Sequence, residues 1–372
     1  MNNRTVQAMG ATTEHIIRWN VTSVFFIIGV GGNFLLLVVL LKTRRLRKAH
    51  YKYVMNATFA NVLALLTNTI HSYVQLSMPT TLHACQVMTL LTLIPCYVST
   101  ISVAAMAIHQ YVKVCHPNVK VTKTAVLISL VVVWAVPLIA YTSLEVGSGW
   151  DCFIHPYGNE TTANDWTKVC TYRVNHDAEP RTKACGLTMV SVSVFLPTLI
   201  IGVLYALIRR KIYEDFLDAR NRKGSTASTM SKPRASVSNF LDVKSTLSRR
   251  RRVIFTLTII YVCFVCFTLP SAVTSFAAAF VDISTAKTRY ASWILGLYFV
   301  LNWLLFVIVD HEIRKGYREF VSCWRRDGRN AGYDQQAASA SPLTQDISSR
   351  RSGALSGADY NVVPHPGVTC TL

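Results

Sequence analysis

Seven stretches, each about the length of a membrane crossing, run with few or no charges near residues 20 to 42, 53 to 78, 85 to 112, 124 to 146, 186 to 209, 251 to 278 and 290 to 310. A bilayer core about 30 Å thick is crossed by about 20 residues of α-helix rising about 1.5 Å each. Lipid offers no partner to a bare backbone N–H or C=O, so each stretch is expected to be helical, with Pro95, Pro137, Pro197 and Pro270 as local kinks packed against neighbours. The expected fold is an all-α membrane protein, a seven-helix bundle over 20–310. Composition agrees: 51% of residues are hydrophobic and only 15% charged, against about 25% charged in soluble chains.

Lysine and arginine in the loops set the orientation. The loop after the first span carries Lys42, Arg44, Arg45, Arg47, Lys48 and Lys52, and its side of the membrane repeats the pattern at Lys113, Lys120 and Lys123 and again from Arg209 to Arg252. The segment 147–185 instead mixes Asp151, Glu160, Asp165, Asp177 and Glu179 with basic residues. This predicts a multi-pass plasma-membrane protein with residues 1–19 outside and the C-terminus in the cytoplasm. The net charge of +19 then faces anionic lipid, and nucleic acid is rejected as its partner. Glycosylation acceptors at Asn3, Asn20 and Asn159 fall on the outer side; Asn56-Ala57-Thr58 lies inside a span and reads as a chance match. Residues 1–19 lack a signal-peptide apolar core, so the first span is expected to direct insertion. Internal repeats with polar mid-membrane breaks, as in transporters, and convergent histidines and acids, as in membrane hydrolases, do not appear. No enzyme activity, cofactor or metal is expected.

The polar residues inside the spans narrow the family. The first span holds Gly29-Val30-Gly31-Gly32-Asn33, the third opens at Cys85, the fourth contains Trp134, and the fifth has Pro197 with Tyr205 eight residues on. The sixth has Phe264 six residues before Pro270, and the seventh carries Asn302 and runs into Asp310-His311-Glu312-Ile313-Arg314-Lys315-Gly316-Tyr317. In order and spacing this set resembles the rhodopsin-like (class A) G-protein-coupled receptors, over about 20 to 323. The resemblance implies an extracellular ligand and a heterotrimeric G protein as partners.

Departures from the family pattern fall at its activation switches. His109-Gln110-Tyr111 stands where the family usually has Asp-Arg-Tyr, and neutral Gln110 cannot make the arginine's charge-assisted pair. Asn61 takes the place of the buried aspartate of the second helix; Ser99 is present, but without that carboxylate an internal sodium ion loses its anionic ligand, and no sodium site is expected. Asn302-Trp303-Leu304-Leu305-Phe306 replaces Asn-Pro-x-x-Tyr, so Phe306 lacks the tyrosine hydroxyl. Thr268 stands where an aromatic switch precedes Pro270. Loss of the resting lock favours basal activity, and loss of the arginine, tyrosine and hinge weakens the active state. Altered basal activity or coupling is expected, with a non-signalling decoy, scavenger or trafficking partner as the alternative.

At the outer face the resemblance implies a disulfide from Cys85 to the loop 147–185. Cys170 is the preferred partner because Lys168-Val169-Cys170-Thr171-Tyr172-Arg173 alternates like a hairpin strand; Cys152 stays open, and otherwise pairs with Cys185. Thr92 stands where amine receptors have an aspartate and Gly296 where opsins have the retinal lysine, which argues against both ligand types. Asn68, His71, Gln75, Thr92, Tyr97, Thr188, Ser191, Thr274, Trp293 and Tyr298 form a neutral, hydrogen-bonding and aromatic set for an upper pocket, suited to a peptide or a small uncharged molecule.

On the inner side, residues 210–250 are rich in serine, threonine and basic residues without apolar periodicity, and read as a disordered loop with a kinase acceptor at Ser236. Residues 311–323 read as an amphipathic helix on the membrane surface, closed by Cys323 as a palmitoylation candidate. The tail 324–372 is expected to be disordered and to meet receptor kinases and arrestin.

Overall fold

The computed structural model describes residues 17, 20–43, 46, 48–77, 82–147, 180–226, 255, 258–283 and 285–322. Among them every regular element is a helix. Seven are long: α1 Asn20–Lys42, α2 Ala49–Ser77, α3 Leu82–Cys115, α4 Lys123–Gly147, α5 in three continuous pieces (Pro180–Val190, Ser191–Phe195 and Leu196–Thr226), α6 Thr258–Ala277 and α7 Thr285–Val309. A short helix, α8, follows at 311–322.

Six of the seven are apolar enough to cross a membrane by composition alone, and α2 is the exception. At 29 residues it is long enough to cross, but it carries Asn56, Asn61, Asn68 and His71. Asn61 is fully buried, and Asn56 is bonded to two other helices. A helix whose polar residues turn into the bundle need not be apolar all round.

The helices overlap every expected span, with ends that differ by up to about seven residues (α5 begins at Pro180 and α7 at Thr285) and by more at the inner end of α5. That helix continues to Thr226, well past residue 210, where the sequence reading begins a disordered loop. The extension is drawn together by (i, i+4) ion pairs, Arg210–Glu214 at 2.9 Å and Lys211–Asp215 at 3.2 Å, the spacing that supports a solvated helix. The proposed hairpin of 168–173, the sequons at Asn3 and Asn159, Ser236, Cys323 and the tail lie outside the described residues.

Two features set the close contacts. Pro197 has no N–H to give the carbonyl of Ser193, one turn back; the Thr100 hydroxyl of α3, which donates to the Tyr97 carbonyl of its own helix at 2.9 Å, also lies 3.4 Å from that carbonyl, and the backbone there widens into a π turn, Ser191–Phe195. α1 and α7 meet through glycine. A Cβ on Gly29 would lie 2.6 Å from Leu65 and 3.3 Å from the Val300 backbone, and one on Gly32 would lie 2.1 Å from the Trp303 indole, whereas Gly31 faces open space. Small residues allow such approach where lipid gives no hydrophobic drive to pack. α7 contains no proline.

Candidate functional site

The polar residues of the bundle fall at three depths. At the middle, Asn33 is fully buried and donates both amide hydrogens, to the carbonyls of Gly29 at 2.8 Å and Phe299 at 3.0 Å. Its Oδ1 therefore faces away from those carbonyls and accepts from Asn61 Nδ2 at 3.3 Å. Asn61 Oδ1 is left buried without a partner, as are the Ser99 and Tyr298 hydroxyls and Asn302 Nδ2. Tyr298 packs edge-on against Phe264 at 5.5 Å and faces Ser99. Thr268 is buried and donates to the Phe264 carbonyl at 2.8 Å, so its hydroxyl is spent within α6.

The donor set does not fit the family's sodium ion. Asn61 and Asn302 bring no charge, and the amide nitrogen of Asn61 is committed to Asn33. Hard cations are held by oxygens, with carboxylates carrying the charge.

Beside this region α2, α3 and α4 are joined by one amide. Asn56 accepts from Trp134 Nε1 at 2.9 Å and donates to Ser102 Oγ at 2.8 Å. With both amide atoms committed inside the bundle, Asn56 is no glycosylation acceptor. The aromatic body of Trp134 also contacts Phe59 at 6.2 Å.

At the inner ends His109 and Gln110 are buried, and Tyr111 is half-buried against the edge of His116 at 5.5 Å. The His109 ring sits 5.7 Å from Tyr53, whose hydroxyl meets Ser129 Oγ at 2.6 Å. The basic stretch 249–252 lies outside the described residues. Tyr205 stands edge-on to Tyr261 at 5.5 Å with its hydroxyl buried and unpartnered. Gly202 makes room for that pair, since a Cβ there would lie 2.8 Å from the Tyr261 oxygen. Phe306 is buried, and one turn on Asp310 accepts from Tyr51 at 3.3 Å and from the backbone N–H groups of Glu312 at 2.8 Å and Ile313 at 3.2 Å. Asp310 thus caps the backbone at Glu312 and Ile313 and bonds to Tyr51 of α2. Burial raises its carboxyl pKa, and these hydrogen bonds oppose the rise in part.

At the outer ends the expected pocket divides. Tyr97 is stacked on Tyr141 at 4.6 Å in a cluster with Cys185 and Met189 between α3, α4 and α5, and Tyr298 belongs to the middle layer. Both were expected in the upper pocket; their aromatic bulk instead fills the bundle. His71, Thr92, Ser191, Thr274 and Trp293 are half-buried, while the side chain of Gln75 is outside the described residues. Thr92 and Thr274 already donate to carbonyls of their own helices, Met88 at 2.9 Å and Pro270 at 2.8 Å. Cys185 is in a disulfide.

Tyr51, Tyr141 and Tyr261 escape a reading of the sequence. Each acts through a partner on another element, which no spacing within one helix reveals. Trp303 left a signal, a large indole next to Asn302 in a chain whose first span is rich in glycine.

Comparison with known proteins agrees with this architecture. Residues 32–308 match the model of the family described as 7 transmembrane receptor (rhodopsin family). The chain is 24% identical to growth hormone secretagogue receptor type 1 of Sus scrofa over 215 residues, 54% of this chain and 53% of that one. The gastrin/cholecystokinin type B receptor of Canis lupus familiaris is 23% identical over 226 residues, 55% of this chain and 45% of that one. The thyrotropin-releasing hormone receptor of Gallus gallus is 21% identical over 327 residues, 82% of this chain and 79% of that one. The chain thus spans about half the length of the first of these relatives. The crystal structure of squid rhodopsin superposes with a TM-score of 0.62 at 16% identity, covering 81% of this chain and 84% of that one, which shows the fold. With the family match running through most of the helical bundle, this chain is a multi-pass membrane protein, not an enzyme, and belongs to the rhodopsin family of seven-transmembrane receptors.

Proposed function

We propose that this protein is a cell-surface receptor that takes a peptide at the outer ends of its helices and acts on a heterotrimeric G protein at the inner ends. The observation that carries the peptide reading is the set of relatives: the names of two of them carry gastrin, cholecystokinin and thyrotropin-releasing hormone, all peptide hormones. The absence of an acid at Thr92 and the neutral, half-buried set His71, Thr92, Ser191, Thr274 and Trp293 support a ligand recognised by hydrogen bonds and aromatic contact rather than by an ammonium pair. In this reading residues 1–19 are outside with glycans on Asn3, Asn20 and Asn159, and 324–372 are inside, where Ser236 and Cys323 take phosphate and palmitate. Cys85 pairs with Cys170, and Cys152 with Cys185, whose disulfide state fits a second tie from the outer loop to α5.

Activation differs from the family pattern. Gln110 carries no charge to release, and Phe306 has no hydroxyl to offer Tyr205. Signalling therefore rests on packing at the α5–α6 contact more than on an ion pair. Gln110 also favours a second reading, a binder that does not signal.

The test is nucleotide exchange on a panel of G proteins in membranes holding the full chain, with and without a peptide-hormone panel, beside Gln110→Arg at matched surface expression. Exchange by the wild type, raised by a peptide, is the expected result. Peptide binding with exchange only in the variant would establish the non-signalling binder. Failure of every peptide to bind or activate, with exchange driven by small uncharged compounds, would overturn the peptide reading.

A further inference from the structure

Four buried polar atoms converge on one turn of α7 without a partner. Tyr298 and Asn302 are four residues apart and so share a face of that helix. Ser99 of α3 faces Tyr298, and Asn61 of α2 is tied through Asn33 to the carbonyl of Phe299, next to Tyr298. None of the four residues is more than 1% exposed, and Asn61 Oδ1, Ser99 Oγ, Tyr298 OH and Asn302 Nδ2 have no protein hydrogen bond.

Orphaned buried polar groups are uncommon in folded proteins, and each costs about 1–3 kcal/mol unless something answers it. The hydrogen-bond polarity here says what can. Asn33 is fixed by giving both its hydrogens to carbonyls, so Asn61 must offer Nδ2 to Asn33 and turn its oxygen into the cluster. The cluster then presents one obligatory acceptor at Asn61, the neutral amide of Asn302 and two hydroxyls able to donate or accept. A cation would find no charge to balance its own. Water, which donates twice and accepts twice, satisfies every member, and buried water makes about three such bonds on average.

We propose that this middle layer is a neutral hydration site: ordered water linking Asn61 on α2, Ser99 on α3 and Tyr298 and Asn302 on α7, in the place where the family carries a cation. Water bonds each helix to the others without fixing a charge between them. Sodium therefore has no hold on the equilibrium between resting and active forms of this receptor, and the tyrosine at 298 is the residue that closes the site from the α7 side.

Thermal unfolding of the purified full chain tests the first half. Midpoints in sodium chloride and in N-methylglucamine chloride at equal ionic strength should coincide; a rise specific to sodium overturns the neutral site. A double-mutant cycle tests the second half. Ser99→Ala and Tyr298→Phe each delete one hydroxyl, and each should lower the midpoint. If the two hydroxyls are coupled, through water or directly, the double variant should lose little more than the worse single one, and resolved ordered water separates the two. Fully additive losses, or no loss from either, would overturn the bridge. A structure resolving ordered water decides the point without any variant: density about 2.6–3.2 Å from Ser99 Oγ and Tyr298 OH supports it, and a dry gap refutes it.

Discussion

Two buried polar regions of the bundle use their atoms in opposite ways. In the network joining α2, α3 and α4, Asn56 spends both amide atoms on Trp134 and Ser102, and Tyr53 of α2 meets Ser129 of α4. Along α5 and α7, the Tyr205 and Tyr298 hydroxyls, Asn302 Nδ2 and Trp303 Nε1 have no protein partner, and neither do Asn61 Oδ1 and Ser99 Oγ, which α2 and α3 contribute to the middle layer. Satisfied networks hold one arrangement. Groups without a protein partner hold none by themselves, and a two-state element needs that freedom. The difference sets a static network against a region able to rearrange.

The most damaging test of that division is Asn56→Ala. It strips the Trp134 and Ser102 partners at once and should cost about 2–4 kcal/mol, read as a fall in the unfolding midpoint of detergent-purified protein; a loss under about 1 kcal/mol would mean the static network is not held by this amide. Gly32→Ala comes next, at about 1–3 kcal/mol, because its Cβ would enter the Trp303 ring. Gly31→Ala, facing open space, should stay within about 0.5 kcal/mol, and equal effects at the two glycines would refute the α1–α7 contact. Tyrosines on the two sides sharpen the contrast further. Tyr53→Phe removes a made hydrogen bond and should cost about 1 kcal/mol, whereas Tyr205→Phe removes an unmade one and should be neutral or slightly stabilising. A matching loss at Tyr205 would erase the distinction.

A smaller effect, visible only against pH, is expected at Asp310. Its carboxyl pKa is raised in the folded protein, chiefly by burial, so between the ordinary carboxylate value of about 3.9 and the raised one the folded state holds more protons than the unfolded. This contribution to stability is greatest at the acid end and declines as pH rises through the raised value. Asp310→Asn should flatten that part of the midpoint-against-pH curve, and an unchanged slope would assign it to another group.

Much of the fold was legible because lipid imposes a simple rule: length and apolar composition mark a crossing. The rule fails where it should. α2 is less apolar than its neighbours because two of its asparagines, Asn56 and Asn61, turn into the bundle while Asn68 is exposed, and only the positions of Trp134, Ser102 and Asn33 make that visible. The inner end of α5 was read as disordered because charge without apolar periodicity marks a loop, yet charges of opposite sign four apart also support helix, as Arg210–Glu214 and Lys211–Asp215 do. At the site, resemblance found Asn61, Gln110 and Phe306 as altered positions. It did not foresee that Tyr97 would stack on Tyr141 or that Tyr298 would sink beside Ser99, because the direction of a side chain around a helix depends on rotation and kinks that a one-dimensional pattern does not carry.

The α7 helix has one more consequence. A proline removes a rung from the backbone ladder and gives a helix a place to bend; Trp303 removes none. From Thr285 to Val309 α7 is proline-free and behaves as a stiff lever, with the glycine–indole contact of Gly32 and Trp303 as its bearing. A tilt imposed at its outer end would carry Asp310 with it as a swing of the whole rod, by rotation rather than by flexing.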